Sequence, residues 1–343
     1  MSGLRIGSVC TGYGGLDMAV QAVMGGSPAW VADNDPGAAR ILAHHHPRVP
    51  NLGDITAVDW HAVEPVDVIV GGYPCQPFST AGKRKGTADE RHIWPYIANA
   101  LRVLRPRIAV FENVANHLRL GFADVLADLA RLGFDAQWCL VRASEVGAPH
   151  QRQRLFVLAV AADPDGLGGD GRRARGAGRD EPAPPHRHAP ADTSGEGLEV
   201  RRVEPHRDER QAAQRGRGEP PTDTDASGRG AGEPDVRPGQ PDAGWGRFAP
   251  AIARWEAVTG RRAPWATDDR RRLNPAFVEW LMGLATGHVT TVPGLTRTQQ
   301  LKALGNGVVP QQAEAAIRLL LAQSATGPVA SMTSPRRTHG IAA

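Results

Sequence analysis

The chain has only three cysteines in 343 residues, Cys10, Cys75 and Cys139. They are odd in number and too widely spaced for a zinc knuckle, so neither a disulfide framework nor a structural metal is expected and the thiols should be reduced. No apolar run approaches the roughly 18 residues of a membrane span, and residues 1–8 lack the apolar stretch and cleavage pattern of a secretory signal. A cytoplasmic location, away from membranes, is the expectation. Between positions 163 and 244 there is no Phe, Tyr, Trp, Ile or Met. Gly, Pro, Arg, Asp and Glu crowd that stretch, as in Gly171-Arg172-Arg173-Ala174-Arg175-Gly176. Such a composition cannot bury enough apolar area to offset a backbone ordering entropy of about 1–2 kcal/mol per residue, so 163–244 is expected to be a largely disordered low-complexity insert. The net charge of +4 is a small excess among 40 Lys and Arg residues and favours an anionic partner only weakly.

What is present has a regular order. An apolar-rich strand at 4–9 runs into Thr11-Gly12-Tyr13-Gly14-Gly15, and a helical pattern follows at Leu16, Val20 and Val23. A second strand at 29–32 ends in Asp33-Asn34-Asp35, before a helix at 36–45. A third strand at 66–70 leads into the loop holding Cys75, and a helix at 93–104 precedes a strand at 108–111 that ends in Glu112-Asn113-Val114. An amphipathic helix at 122–132 and two strands at 134–141 and 154–160 complete the series. Strand, helix, strand in alternation predicts a doubly wound, mostly parallel α/β sheet with helices on both faces. Aromatics return at Trp245, Phe248, Trp255 and Trp265. A helix is predicted from Asn274-Pro275 to Met282, with proline near its first turn, and a last one from Pro310 to about Leu321. The chain therefore divides into an N-terminal catalytic and cofactor-binding part (1–162), the insert (163–244), a segment at 245–272, a C-terminal part (273–323) and a tail (324–343) expected to be frayed.

Chemistry concentrates at the expected strand ends. Cys75 lies in Gly71-Gly72-Tyr73-Pro74-Cys75-Gln76-Pro77-Phe78-Ser79, where prolines stiffen the loop beyond a buried strand and place a thiol as a nucleophile. A small buried hydrophobe is the alternative. The next residues, Lys83-Arg84-Lys85, form a glycine-bracketed basic loop that lowers a nearby thiol's pKa and grips phosphates. The turn at Gly12 to Gly15 lacks the Lys and Ser or Thr of a phosphate loop, so its ligand presents a ribose and a carboxylate instead. Asp33 is either the acid for a ribose hydroxyl or a turn and cap former. Glu112 stands where parallel sheets place their ligands, with a solvated loop acid as the other possibility. In Gln151-Arg152-Gln153-Arg154, strand alternation points Arg152 and Arg154 to the same side, onto a ligand or a solvated edge. His44-His45-His46 reads as a favourable helix C-terminus.

In this order the segments resemble the DNA cytosine-5 methyltransferase family of bacteria and phages, over residues 4–160 and 273–321. Ser8 to Leu16 is similar to the family's S-adenosylmethionine turn, Asp33 to its ribose acid and Gly53-Asp54-Ile55 to its adenine-side contact. Gly72 to Ser79 resembles the Pro-Cys-Gln nucleophile motif, Glu112-Asn113-Val114 the glutamate motif, Gln151 to Arg154 the Gln-Arg-x-Arg motif, and Gln300 to Val309 the motif that returns to close the cofactor pocket. Cys10 departs from the pattern, standing where the family usually has a phenylalanine against the adenine ring. The resemblance implies S-adenosylmethionine held by Gly12, Tyr13, Gly14, Gly15, Leu16, Asp33, Asn34, Asp54, Ile55, Pro74, Asn306 and Val308. It implies catalysis by Cys75, Glu112, Arg154 and Arg152, and substrate DNA at Gln76, Ser79, Lys83, Arg84, Lys85, Arg91, Arg261 and Arg262. The implied partner is double-stranded DNA, acted on by a monomer without a metal, with a cognate restriction endonuclease as a further partner.

The implied chemistry is covalent. Cys75 adds to cytosine C6 to make C5 nucleophilic, Glu112 donates a proton to N3, and the arginines stabilise the base and adduct. The base first leaves the duplex, because stacking covers the face that is attacked. Two other readings stay open at this point: a transfer-RNA cytosine-5 methyltransferase, and a non-catalytic DNA-binding relative that keeps the fold. The intact set of Cys75, Glu112 and Arg154 argues against the second. Specificity is expected in 245–272, where aromatics accompany Arg254, Arg261, Arg262, Arg270, Arg271 and Arg272; docking of a helix onto the catalytic part is the other use of those tryptophans.

Overall fold

Apolar residues of opposite parity along each strand build the centre of the protein. The computed structural model describes residues 3–74, 93–162 and 244–326, all within one compact unit. Among them, the N-terminal part contains β1 (Arg5–Val9), α1 (Gly15–Met24), β2 (Ser27–Ala32), α2 (Pro36–His45), β3 (Val68–Gly72), α3 (Trp94–Leu104), β4 (Ile108–Val114), α4 (Phe122–Arg131), β5 (Phe134–Val141) and β6 (Arg154–Ala161). The strands form one sheet in the order β2-β1-β3-β4-β6-β5. β2, β1, β3 and β4 run parallel, while β6 is antiparallel to both β4 and β5. The sheet is thus mostly parallel, and the expectation from strict alternation is corrected at its β6 end. Only a single 3-10 turn at Ala143–Val146, and no α-helix, separates β5 from β6, so the two pair as antiparallel neighbours, which a short connection allows.

Period-two alternation sends Val68 and Val70 of β3 to one face and Ile69 to the other. The Val68 face continues through Val110, Phe156 and Leu158, and it is covered by Leu16, Ala19 and Val20 of α1 and by Ala313, Ala316, Ile317 and Leu320 of α8 (Pro310–Thr326). The Ile69 face, with Ala109, Phe111, Val157 and Ala159, is covered by Ile97, Leu101 and Leu104 of α3 and by Val125 and Leu129 of α4. Helix ends carry local signals: Asp35 caps α2 by accepting from the Gly37 and Ala38 N–H groups ahead of Pro36, and Asn274 caps α6 (Pro275–Leu281) through Ala276 N–H.

Several boundaries differ from the sequence-based expectation. β3 sits two residues later than 66–70 and β4 runs on to Val114, so Glu112, Asn113 and Val114 belong to a strand rather than following it. β4 extends because β6 pairs with it as far as Val114 opposite Arg154. α8 continues five residues past 321, to Thr326, into what was expected to be tail. Two helices were not foreseen: α5 (Ala249–Thr259), and α7 (Arg297–Asn306), whose Thr296 and Gln299 form a reciprocal capping box. The Cys75 loop, the basic loop with Gln76, Ser79, Lys83, Arg84, Lys85 and Arg91, the insert at 163–243 and the tail at 327–343 lie outside the described residues.

A third core cluster joins the later segments to the glycine turn. Trp255 of α5, with no exposed surface, packs with Trp280, Met282, Leu284, Val289, Leu304, Val309 and Tyr13. Its indole donates to Trp280 O at 2.9 Å, and Trp245 stacks on Phe277. Buried within this part is Glu279, whose two oxygens accept from the N–H groups of Gly287, Val289 and Thr290 and from the Thr290 hydroxyl at 2.6 to 2.9 Å. A buried carboxylate with four donors ties down the loop at 287–290. We expect Glu279→Ala, which strands two buried backbone donors and a partly buried third, to cost about 3 kcal/mol, at about 1–3 kcal/mol per unsatisfied buried group. Urea unfolding measures this, and an unchanged midpoint would show that the loop does not depend on the carboxylate.

Candidate active site

The carboxyl ends of β1, β2, β3 and β4 meet where the strand order reverses between β1 and β3, the position at which open α/β sheets hold ligands. After β1 the chain turns through residues 10–14. Cys10 (φ 51), Gly12 (φ 59) and Gly14 (φ 83) all have left-handed backbone, and Gly14 stands at the N-cap of α1 without any side-chain cap. An added Cβ at Gly12 or Gly14 would meet no heavy atom within 4 Å, so the turn borders open space. The buried hydroxyl of Thr11 has no hydrogen-bond partner, whereas Ser8 bonds the Asp17 carboxyl of the first turn of α1, whose pKa burial raises to about 6. Uncapped helix N–H groups beside the Thr11 hydroxyl suit a ligand carboxylate, with Asp17 close enough to shape that preference.

Asp33 closes one side of this turn. Its carboxylate accepts from Gly12 N–H at 2.8 Å and from Asp35 N–H at 2.9 Å. Burial pushes its pKa up, and those two N–H groups pull it back down. Two of about four lone-pair sites are used, which leaves acceptor capacity for a hydroxyl. Asn51, which sequence reasoning missed, accepts from Asp33 N–H and Gly53 N–H and donates to Asp33 O, joining β2 to the loop at 51–54. There Asn34 donates to Asp54 at 3.2 Å, and Asp54 is held below the usual carboxylate range chiefly by the N–H and hydroxyl of Thr56. Gly12, Gly14, Asp33, Asn34 and Asp54 are therefore brought to one rim, whereas Tyr13, Leu16 and Ile55 are core residues, 2%, 3% and 5% exposed, and Gly15 is buried against Val308. Pro74 is exposed at the last described position before Cys75.

The C-terminal part reaches the same turn. The Tyr13 ring is buried, and its hydroxyl donates to Val308 O at 2.6 Å. A Cβ on Gly15 would lie 2.2 Å from Val308 O, and one on Gly307 would lie 1.8 Å from the Tyr13 ring, so both positions need glycine for this approach. Lys302 pairs with Asp35 across the same junction. His288 joins from a neighbouring loop, its Nε2 2.9 Å from Tyr13 O and its ring stacked on His45. The expectation for the three histidines at the end of α2 is thereby refined, since His45 packs against His288.

On the other side stands Glu112, 7% exposed and opposite Gly72 in the β3–β4 register. It pairs with Arg154 Nε at 2.8 Å. Burial raises its pKa, opposed by the charges of Arg154 and Arg152. A Cβ on Gly72 would come within 3.5 Å of Glu112 Oε2 and 3.8 Å of Val308, so Gly72, Glu112 and Val308 surround one point three residues before Cys75. Tyr73 is buttressed from below: its hydroxyl meets His117 Nε2 at 2.8 Å, and its carbonyl accepts from Asn113 Nδ2 at 3.3 Å. Arg152 does not continue the alternation. At φ 34 it precedes β6, and its guanidinium donates to Gly305 O and Gly307 O, so the two arginines take different partners. Arg261 donates to Leu284 O and to Thr286, and Arg262 is exposed. Of the two described thiols, Cys10 is pushed up to about 12 by burial and by Asp33 and Asp54, and Cys139 to about 11, chiefly by burial. Both are protonated and poor nucleophiles near neutrality. Among the described residues no group of His, Cys, Asp or Glu could hold a metal ion, and no helix is long and apolar enough to cross a membrane.

Comparison with known proteins identifies the family. Residues 4–210, more than half of the chain, match the family model described as C-5 cytosine-specific DNA methylase. Type II methyltransferase M.AplI of Arthrospira platensis is 43% identical over 96 residues, covering 27% of this chain and 28% of that protein. Type II methyltransferase M.HgiBI of Herpetosiphon aurantiacus is 30% identical over 168 residues, covering 47% of this chain and 38% of that protein. The chain thus spans well under half the length of these two relatives. The crystal structure of S. pombe Dnmt2 methyltransferase superposes with a TM-score of 0.54 at 19% identity, covering 94% of this chain and 99% of that one, and it supports the fold.

The Glu112–Arg154 pair generates a stability prediction. Removing the cation by Arg154→Ala leaves a buried carboxylate unpartnered, at a cost of about 3–5 kcal/mol. Glu112 then titrates still further above its ordinary value of 4.5. A group whose folded pKa is raised contributes most favourably below the unfolded value, and that contribution is lost as pH rises through the folded value. The deficit relative to wild type should therefore be small near pH 4.5 and full at pH 8. Denaturation at both pH values checks this, and an equal deficit at both would remove Glu112 from the explanation.

Proposed function

The chain belongs to the C-5 cytosine-specific DNA methylase family, and from that membership we propose that it transfers a methyl group from S-adenosylmethionine to C5 of cytosine in a specific double-stranded DNA sequence. One observation carries the reading: a buried Glu112, braced by Arg154, faces Gly72 at the strand end that leads to Cys75. Cytosine C5 is too weak a nucleophile to accept a methyl group unaided. In the proposed reaction the Cys75 thiolate adds to C6, and electron density moves onto C5 and N3. Glu112, whose burial favours the protonated carboxyl, donates its proton to N3 as charge develops there. Arg154 orients Glu112 and stabilises the adduct. Once C5 carries the methyl group, the C5 proton is lost to solvent, the C6–sulfur bond breaks to return the Cys75 thiolate, and N3 gives its proton back to Glu112, which releases the 5-methylated base. The base must be extruded from the duplex for C6 to be reached.

Bound S-adenosylmethionine would supply an electrophilic methyl group on its sulfonium. The residues at the β1–β2 rim fit it. Asp33 has acceptor capacity for ribose hydroxyls, Asp54 and Asn34 line the outer side, and the uncapped start of α1 suits a carboxylate. The loop at 305–309, with Asn306 and Val308, closes the pocket. Cys10 brings a small protonated thiol where the family pattern has an aromatic ring, so less of the adenine face would be covered.

Two regions are proposed to meet DNA. The basic loop with Lys83, Arg84, Lys85 and Arg91, beside Gln76 and Ser79, would grip phosphates around the extruded nucleotide. In the segment at 245–272, Arg262, Arg270 and Arg271 are exposed, while Arg261 orders the chain beneath them. In a tritiated methyl-transfer assay, Cys75→Ala should lose roughly a thousandfold or more in rate while keeping its affinity for S-adenosylmethionine. Duplex DNA carrying 5-fluorocytosine should trap wild type as a denaturant-stable adduct. Retained turnover by Cys75→Ala would contradict covalent catalysis.

A further inference from the structure

The two arginines of the Gln151-Arg152-Gln153-Arg154 stretch do different work, and Arg152 is placed to act through the cofactor-closing loop rather than on the base. Arg154 reaches Glu112. Arg152 sends one guanidinium nitrogen to Gly307 O at 2.5 Å and to Gly305 O at 3.0 Å, the carbonyls on either side of Asn306. The next carbonyl, Val308 O, accepts from Tyr13. Successive groups of one loop are thus held from two directions, by the connection before β6 and by the glycine turn. Arg152 adopts φ 34, left-handed backbone that a non-glycine residue keeps only when its surroundings enforce it.

The enforcing residue is Gln312, which has no exposed surface. Its Nε2 donates to Arg152 O at 2.8 Å and to Val141 O at 2.7 Å, anchoring the turn before β6 to the first turns of α8. Arg152 Nε is buried without a partner, so the side chain is held by its terminal nitrogen alone. We propose that Arg152 is a positioning residue: seated by Gln312 and acting with Tyr13, it clamps residues 305–308 over the glycine turn and so sets cofactor affinity, while Arg154 serves the base. The inference rests on the methyltransferase reading for the identity of the cofactor, but the clamp itself does not.

The experiment has two arms. Calorimetry with S-adenosylmethionine and S-adenosylhomocysteine should show Arg152→Ala binding at least tenfold more weakly and Tyr13→Phe about threefold more weakly. The double variant should fall short of the product of the two, because both hold one loop. Arg152→Lys, which keeps charge and one donor, should recover part of the loss. Arg152→Ala should raise the KM for S-adenosylmethionine by a larger factor than it lowers kcat, whereas Arg154→Ala should lower kcat by a hundredfold or more with the cofactor KM little changed. In the second arm, amide hydrogen exchange without any ligand should quicken at 305–309 in Arg152→Ala while the centre of α8 stays protected. Tyr13→Phe and Gln312→Leu should quicken the same amides if Arg152→Ala fails to fold. Unchanged exchange, or a loss of kcat matching Arg154→Ala with cofactor affinity intact, would overturn the proposal. A wild type that binds neither ligand would instead refute the cofactor reading, and the exchange arm would still decide on the clamp.

Discussion

A single hydroxyl-to-carbonyl bond of 2.6 Å, from Tyr13 to Val308, joins pieces of chain 295 positions apart, and the site depends on that junction. Two glycines make it possible. With any side chain at Gly15 or Gly307 the loop could not lie this close to the turn, because the added atom would overlap Val308 O or the Tyr13 ring. Burial of the tyrosine raises its pKa, so the hydroxyl remains a donor at neutral pH. The same approach brings Val308 within reach of Gly72 and Glu112. In the proposed reaction the cofactor side and the base side of the site would therefore share a wall, as transfer of a group between two bound ligands requires.

The electrostatics around Glu112 suit the proton transfer proposed for it. Glu112 is almost wholly buried, which favours its neutral form, yet it faces an arginine at 2.8 Å, which favours its charged form. A carboxyl balanced in this way costs less to protonate than a surface glutamate and is still held in a fixed orientation. The buried hydrogen bonds from Tyr73 to His117 and from Asn113 to Tyr73 O stiffen the strand end just ahead of Cys75. In the proposed reaction, rigid support ahead of Cys75 would limit the search for attack geometry.

Much of the fold was legible because the relevant signals are local. Period-two apolar strands, Pro36 and Pro275 at helix starts, and glycines after β1 each report a nearby backbone state, so α2 and β5 fall where the residues place them. The antiparallel pairing of β6 with β4 was not legible, since it rests on contacts between residues 40 (Val114 and Arg154) to 52 (Ile108 and Val160) positions apart. For the same reason Glu112 is a strand residue and not the loop acid its neighbours suggested. Arg152 illustrates a finer limit: alternation is a property of extended chain, and a single residue at φ 34 breaks it. The tryptophans at 245 and 255 show another, because an aromatic residue beside arginines reads alike whether it meets DNA or docks a helix, and here Trp255 is buried in a core with Trp280. Amides such as the buried Gln312 and the exposed Asn51 carry no sequence signal at all; only the carbonyls and N–H groups around them give them a role.

The central claim is that these two parts of the chain assemble one site for methylating cytosine in DNA. Bisulfite sequencing of DNA from cells expressing the full chain tests it most directly, because it reads activity and target together. The account predicts conversion-resistant cytosines confined to one recurring sequence context and absent from cells lacking the gene. Uniform conversion in cells that accumulate the folded chain would contradict it.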